Sequence, residues 1–508
     1  MKRFPAIAVI VGLSGLAQPA LGQYDEVPAE WLVPGEILIK PNFTSSVDDV
    51  VERLEEVVGE GLVEILRSNP ELGTYTIGIP ILPPTDEAIE MREIFDAAVD
   101  EQELEWAEPN LIMGNVGGQT GSLWVSGVGI DADGYANQYA RDILEIDPAF
   151  QKSTGRGVLV AVVDTGIDPN HEALHSRVSP FGVSLLSNYP TTHDENSSDP
   201  TAVNALRGHG TFVAGLVSLV APDVKLLPIR VLDSEGQGTT EVAAAGIIEA
   251  INGGAHIITL AFGTPQQSLA LNTAIQLAIQ SGVVVLAAAG NDGQLGCYYP
   301  ASNPVVTNIA ASDHQDQFEL SSNWCDQVDA LAPGSMFFAM DDASVDPEAS
   351  VIGPVPDDGV NPGGGPDATY RAGRGTSFAV GFAAGIAALV RAQHPEWPDS
   401  QVGVADIATT IEERMTSVFN NVVIPLPDKA GFRARLSARV ATETGPPAPI
   451  RGDINGDGCV DSGDLGLILA AFNQRPASPG LHLQDVDGDF MVGPSDIGEF
   501  LALWVQCP

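Results

Sequence analysis

Between residues 138 and 440 the chain repeats one pattern: VLVAVVDTG, KLLPIRVLD, HIITLAFG and VVVLAAAGN are short, continuously apolar runs, each ending in small or polar residues. Helical segments alternate with them, beginning near Gly210, Thr239, Gln266 and Thr376. A strand that is apolar throughout has no face to offer water, so both of its faces must be covered. Strands of this kind alternating with helices make a parallel sheet with helices on both sides. The expected class is therefore α/β, with three layers and a mostly parallel sheet. In such sheets binding residues collect at the carboxyl ends of the strands, and the residues discussed below fall at strand ends or helix starts.

The rest of the 508 residues divides around this core, and a chain of this length suits two to four domains. Residues 23–117 form an acidic unit. PGEILIKP and TYTIGIP read as strands, DDVVERLEEVVG and DEAIEMREIFDAAVDE as helices, and ELEWAEPNLIMG as a final extended piece. This predicts a small α+β domain. Gly117 to Gly134 reads as a loop or linker. At the N-terminus, Lys2 and Arg3 precede a short apolar run, and Ala20-Leu21-Gly22 supplies small residues. That is the pattern of a secretory signal peptide over residues 1–22, too short to span a membrane comfortably. Residues 441–450 are a proline-rich linker.

Composition narrows the partners. With 67 acidic and 23 basic residues the formal charge is −44, which argues against nucleic acid and anionic membrane surfaces. The 44% hydrophobic and 18% charged residues suit a large packed core. Four cysteines fit an oxidising compartment, and pairing of sequence neighbours, Cys297 with Cys325 and Cys459 with Cys507, is the expected connectivity among three.

Four polar residues carry the chemistry. Asp164 ends a buried strand in VLVAVVDTGID, and a buried carboxylate needs a partner. DTG also marks aspartic proteases, but those need two facing carboxylates and the chain has one DTG. The better role for Asp164 is to hold an imidazole in one tautomer. His209 lies in RGHGTFVAG; Phe212 and Val213, one helical turn on, are apolar, which speaks against a metal. Asn291 ends the strand of VVVLAAAGN, as a turn residue or as a donor to an oxyanion. Ser377 opens a long helix in GRGTSFAVGFAAG, either capping it or acting as a nucleophile beside the positive helix end.

Asp, His, Asn and Ser occur in that order, and Asp–His–Ser is the subtilisin order, unlike those of chymotrypsin and the α/β-hydrolases. DTGID, GHGTFVAG, AAGN and GTSFA resemble the Asp, His, oxyanion and Ser motifs of the subtilisin-like serine proteases (subtilases). The resemblance implies that Ser377 is the nucleophile, His209 the general base, Asp164 its orienting acid and Asn291 an oxyanion donor. It also implies that Gly236, Gln237 and Gly238 form one edge of a substrate cleft, and Leu260, Ala261, Phe262 and Gly263 the other. An extended peptide would add between them as a strand. The family usually has histidine at Phe212, proline at Gly381 and serine at Ala261. An insertion from about Met336 to Thr369 reads as a cleft-side loop, a calcium-binding loop or a disordered surface loop. Residues 23–117 resemble a subtilase propeptide, with WAEPN (Trp106–Asn110) near its end.

The C-terminal residues 451–508 contain two related segments. DINGDGCVDSGD sets Asp453, Asn455, Asp457, Cys459 (by its carbonyl), Asp461 and Asp464 at the oxygen-ligand spacing of an EF-hand loop. DVDGDFMVGPSD repeats it with Asp485, Asp487, Asp489, Met491 (carbonyl) and Asp496, although Phe490 replaces the turn glycine. Two such loops, each before a short apolar helix, resemble a type I dockerin. That implies Ca2+ binding in the loops and a cohesin-like or cell-surface docking partner. The combined expectation is a secreted serine endopeptidase with protein or peptide substrates. An esterase fails on chain order and on the missing G-x-S-x-G elbow. A catalytically silent fold used for binding is the rival from outside the enzymes.

Overall fold

The computed structural model describes residues 31–79, 104–114, 123–125, 129–194, 206, 208–338, 344–357, 369–398, 402–416, 423–427, 432–443, 454, 460–472, 484–486 and 491–503. The expected signal peptide, the helix of DEAIEMREIFDAAVDE and most of the proline-rich linker lie outside them. Two compact units emerge: Met1–Ser68 with Gly73–Pro109, and Asn69–Leu72 with Asn110–Pro508.

In the first unit, β1 (Leu32–Pro41), α1 (Val47–Val58), β2 (Glu64–Asn69), β3 (Thr74–Gly78) and β4 (Leu104–Gly114) succeed one another, and the unit boundary falls inside β4. The strand order is β2-β3-β1-β4, with β1 antiparallel to β3. Helix α1 starts where Ser46 and Asp49 cap each other's backbone N–H groups. Its Val50 and Leu54, one turn apart, bury against Ile37, Ile39 and Ile77 of the sheet. Strand β2 was not anticipated: EILRSN is mostly exposed and carries no alternating apolar face.

The second unit is built on a nine-stranded sheet. Its strands are β6 (Leu159–Asp164), β7 (Val183–Ser184), β8 (Lys225–Arg230), β10 (Ile257–Leu260), β11 (Val284–Ala288), β12 (Thr307–Ser312), β13 (Ala330–Pro333), β18 (Val423–Pro425) and β19 (Phe432–Arg435). They lie in the order β18-β19-β13-β12-β11-β10-β6-β8-β7. The central pairs are parallel, and the β18–β19 edge pair is antiparallel. Every residue of β6, β10, β11 and β12 is buried, as doubly covered strands require.

Short helices α2 (Ala132–Asn137), α3 (Tyr139–Ile143) and α4 (Ile146–Ala149) lead into the sheet; α5 (His209–Val220), α6 (Thr240–Asn252) and α7 (Leu269–Gln280) follow among the strands. Helix α8 (Thr376–Ala392) is buried along its whole length. Helices α9 (Ile407–Thr416) and α10 (Ala438–Glu443) precede the tail helices α11 (Ser462–Ala470) and α12 (Pro494–Leu503). Glycines allow α8 to approach α5: a Cβ at Gly385 would lie 2.6 Å from Val220 Cβ, and one at Gly381 3.1 Å from the Val213 carbonyl.

Two expectations about irregular chain need correction. The segment Gly117–Gly134 contains β5 (Leu123–Val125) and the start of α2. The insertion after Met336 is not wholly a surface loop. It forms β14 (Phe337–Phe338), β15 (Val345–Asp346) and β16 (Val351–Pro354), and β16 pairs with β17 (Tyr370–Arg374), which in turn pairs with β5. Val351 and Ile352 are fully buried, so apolar content won over the surrounding Gly and Pro. This small sheet backs α5. Phe212 stacks on Phe378 at 4.0 Å, and a Cβ at Gly353 of β16 would lie 2.4 Å from the Phe212 ring. Phe212 is thus a packing residue for the insertion.

Candidate active site

The carboxyl end of β6 and the start of α5 are stitched together. Asp164, fully buried, places its two carboxylate oxygens 2.8 and 2.9 Å from Nδ1 of His209. Its Oδ1 also accepts from the Thr165 N–H at 2.7 Å. A helix start leaves backbone donors without intrahelical partners. At α5 no side chain of the N-cap, Gly208, can serve, and the donors are met from elsewhere. The Gly210 N–H donates to Thr165 Oγ1 at 3.0 Å, and the His209 N–H to the Leu206 carbonyl at 3.2 Å. The carboxylate of Asp194 accepts from Gly208 N, Thr211 N and Thr211 Oγ1 at 3.2, 3.1 and 2.8 Å. The imidazole therefore sits on a helix turn fixed at every donor.

Asp194 was not singled out from the sequence. It precedes the histidine motif in an acidic, polar stretch with no fixed spacing, and only the fold brings it under α5. Burial pushes its carboxyl up to about 6, with hydrogen bonds from Thr211 opposing and the charge of Asp164 reinforcing the shift.

Ser377 is fully buried in the first turn of α8, and its Oγ donates to the Ala261 carbonyl at 3.1 Å. Gly375 is the N-cap, with φ of 148° and no side-chain capping bond, so neither Thr376 nor Ser377 caps the helix. Thr376 turns instead to the end of β11. Its N–H and Oγ1 donate to Asn291 Oδ1 at 2.7 and 3.0 Å, and its Oγ1 accepts from Gly290 N at 3.2 Å. These bonds engage Oδ1 as an acceptor and fix the amide so that Nδ2 is its donor side. Thr165 and Thr376 both lay within the sequence motifs, but their roles depend on which strand ends meet.

The two expected cleft edges both contact an extended segment of the same unit. Strand β9 (Gln237–Thr239) pairs antiparallel with the end of β4, Ile112 opposite Thr239 and Gly114 opposite Gln237. On the other side, Gly114 and Gly263 exchange two backbone hydrogen bonds at 3.2 and 3.0 Å. Asn110 anchors this segment, its Oδ1 accepting from Thr240 Oγ1 and Glu241 N at the start of α6. Gly236 precedes β9, while Leu260 ends β10 and Ala261, Phe262 and Gly263 follow it; all four of these are buried.

A disulfide joins Cys297 and Cys325. Cys459 and Cys507 lie outside the described residues. In the C-terminal tail, Asp453, Asn455, Asp457, Asp487 and Asp489 also lie outside them, whereas Asp461, Asp464, Asp485, Met491 and Asp496 are described. Among the described residues no group of three or more His, Cys, Asp or Glu is assembled as a metal site. The two repeats nevertheless close alike. Asp464, fully buried, accepts from Ile454 N at 2.7 Å and Asp461 N at 2.8 Å. Asp496, also fully buried, accepts from Val486 N at 2.5 Å and Gly493 N at 2.6 Å. Val460, Ile468, Val486, Val492 and Phe500 form a small core of their own. Buried carboxylates at repeated loop positions are the oxygen donors that Ca2+ takes, so the donor chemistry present fits the ion.

Comparison with known proteins agrees in one direction. Residues 155–429 match the model of the subtilase family. Subtilisin E of Bacillus subtilis (strain 168) is 33% identical over 293 residues, covering 54% of this chain and 67% of its own. Subtilisin of Bacillus pumilus is 34% identical over 265 residues, covering 50% of this chain and 83% of its own. Among solved structures, fervidolysin from Fervidobacterium pennivorans, described as a keratinolytic enzyme related to subtilisin, superposes with a TM-score of 0.59. At 21% identity, over 84% of this chain and 63% of that one, it is a likeness of fold alone. Among the described residues, no helix is long and apolar enough to cross a membrane.

Proposed function

The chain belongs to the subtilase family of serine proteases, and on that premise we propose that it is a secreted endopeptidase whose nucleophile is Ser377. The observation that carries this reading is the buried pairing of Asp164 with Nδ1 of His209 at 2.8 and 2.9 Å. That pairing keeps the proton on Nδ1 and leaves Nε2 basic. Ser377 Oγ attacks the scissile carbonyl while Nε2 takes its proton. The imidazolium that forms is stabilised by Asp164 and returns the proton to the leaving amine. Charge on the tetrahedral oxygen is met by Asn291 Nδ2 and by the Ser377 N–H in the first turn of α8, the kind of fixed donor that stabilises such a charge.

Substrate enters as a strand between β9 and Leu260–Gly263. The pairing of Ile112–Gly114 with β9, and of Gly114 with Gly263, supports this, because it is what an extended peptide would do there. Residues 23–117 act as a propeptide that is cut between about 111 and 120. Residues 451–508 act as a dockerin-like module. Ca2+ bound by the loop carboxylates would supply the charge compensation that lets such acidic loops fold, and a cohesin-like or cell-surface protein is the docking partner.

Fluorophosphonate labelling of the secreted protein, followed by peptide mapping, tests the central reading. Label on Ser377, lost in Ser377→Ala together with propeptide removal, is the expected result. Folded protein freed of residues 23–117 that takes no label would refute the assignment and leave a binding fold. Activity that survives deletion after Thr444 would separate the catalytic role from that of the tail.

A further inference from the structure

The loop that follows Asn291 is hung on a second segment, Ser321–Cys325. Asn323 is the centre of the attachment and is buried. Its N–H donates to the Gly290 carbonyl at 2.9 Å. Its Oδ1 accepts from Asp292 N at 2.9 Å and Gln294 N at 3.3 Å, and its Nδ2 donates to Asp292 Oδ2 at 3.4 Å. The peptide groups on both sides of Asn291 are thus tied to one residue. Gly290 makes room for it: at φ 124° a Cβ there would stand 2.3 Å from Asn323 Nδ2. Further along, Gly293 N donates to Ser321 O, Gly296 N to Trp324 O and Trp324 N to Gln294 O, at 2.9, 2.9 and 3.1 Å. The Cys297–Cys325 disulfide then closes the pair of segments covalently.

Thr376 holds the side chain of Asn291, and this second segment holds its backbone. A donor that stabilises a developing charge works only if it is aimed before the charge appears. We propose that Asn323 is a positioning residue for the oxyanion site, acting through Asn291 and held in register by the Cys297–Cys325 bridge. The inference rests on the reading of Asn291 given above. It assigns Asn323 no contact with substrate, so its effect belongs in kcat and leaves KM alone.

A double-mutant cycle tests this, with kcat and KM expressed per Ser377 titrated by fluorophosphonate. Asn291→Ala is expected to lower kcat about 10²- to 10³-fold. Asn323→Ala is expected to lower kcat about tenfold, with KM within about twofold, as a misaimed donor would. In the Asn291→Ala background, Asn323→Ala should change kcat less than about twofold, since the group it aims is gone. An equal loss in both backgrounds would mean Asn323 acts by general stability and would overturn the proposal, as would an unchanged kcat in the single variant. If Asn291→Ala itself leaves kcat unchanged, the premise fails and the proposal with it, a result distinct from the other two. Should Asn323→Ala yield no labelled protein, Cys297→Ser/Cys325→Ser takes its place in the cycle. A loss of about threefold or more that vanishes without Asn291 supports the proposal, and any other pattern refutes it.

Discussion

Gly210→Ala probes whether the Asp164–His209 pairing depends on the close approach of α5 to the end of β6. In an unconstrained helix the change would stabilise by about 0.8–1 kcal/mol. Here the added Cβ would stand 2.1 Å from the Gly166 carbonyl oxygen and 3.1 Å from Asp164 Cβ. The first distance is about 0.9 Å inside the 3.0 Å below which real Cβ contacts essentially never fall. Both neighbours are backbone or short side chain on the strand end that holds the carboxylate, so neither can rotate away. The relief must come from α5 moving off β6 by an amount close to that overlap. Overpacking of this kind costs roughly 1–3 kcal/mol, which outweighs the helix preference. If Asp164 and His209 act as the proposed orienting acid and base, a shift near 1 Å between them would cost about 10²-fold in rate. Denaturant midpoints and kcat/KM on a peptide substrate, per titrated Ser377, give both quantities. A Gly210→Ala protein as stable and as fast as the parent would refute the reasoning from contact distance.

Asp194→Asn should flatten part of the pH dependence of stability. Burial raises the folded carboxyl from 3.8 to about 6, so between those values the native state binds more protons than the unfolded chain. Stability from this group is full below the unfolded value and is lost as pH rises through the folded one, by up to about 3 kcal/mol. Parent and variant melting profiles across about pH 4–7 should diverge in slope, and parallel profiles would contradict the burial argument. In the tail, Gly466 lies within α11 and a Cβ there meets nothing within 4 Å. Gly466→Ala should therefore slow hydrogen exchange in α11 by stabilising the helix about 0.5–1 kcal/mol. Chelation of Ca2+ in the full-length protein should release protection at Ile468 and Phe500 while leaving β6 and β11 protected. Unchanged exchange in α11 and α12 would speak against calcium in those loops.

Much of the catalytic unit could be read because its information is local. A strand buried on both faces is a continuous apolar run, and helices beginning at His209, Thr240 and Thr376 announce themselves by glycine, threonine and a following apolar stretch. Helix α7 starts at Leu269 rather than near Gln266, because Ser268 caps it by accepting from Leu271 N. Asp194 and Asn323 were invisible for the opposite reason. An acidic or amide side chain in a polar loop looks solvated until the fold buries it, and nothing in DEN or SSNW tells which helix start or loop it will reach. Strand β16 was hidden by composition: VIGP is four residues inside a stretch dense in Gly, Pro and Asp. Its Gly353 packs against Phe212, and Ile352 bonds with Gln138, neither of which any local pattern links to it.

The four polar residues of the site sit at the ends of β6 and β11 and the starts of α5 and α8, elements scattered over more than 200 residues of chain. Parallel pairing joins segments distant in sequence, so no fragment shorter than nearly the whole sheet brings them together. Bringing the four side chains together therefore requires the sheet from β6 to β11 and both helix starts to be in place at once. A fragment ending before α8 lacks Ser377, the proposed nucleophile, and would have none with which to cleave its siblings. With residues 23–117 acting as a propeptide, the appearance of activity would time their removal as well as the completion of folding.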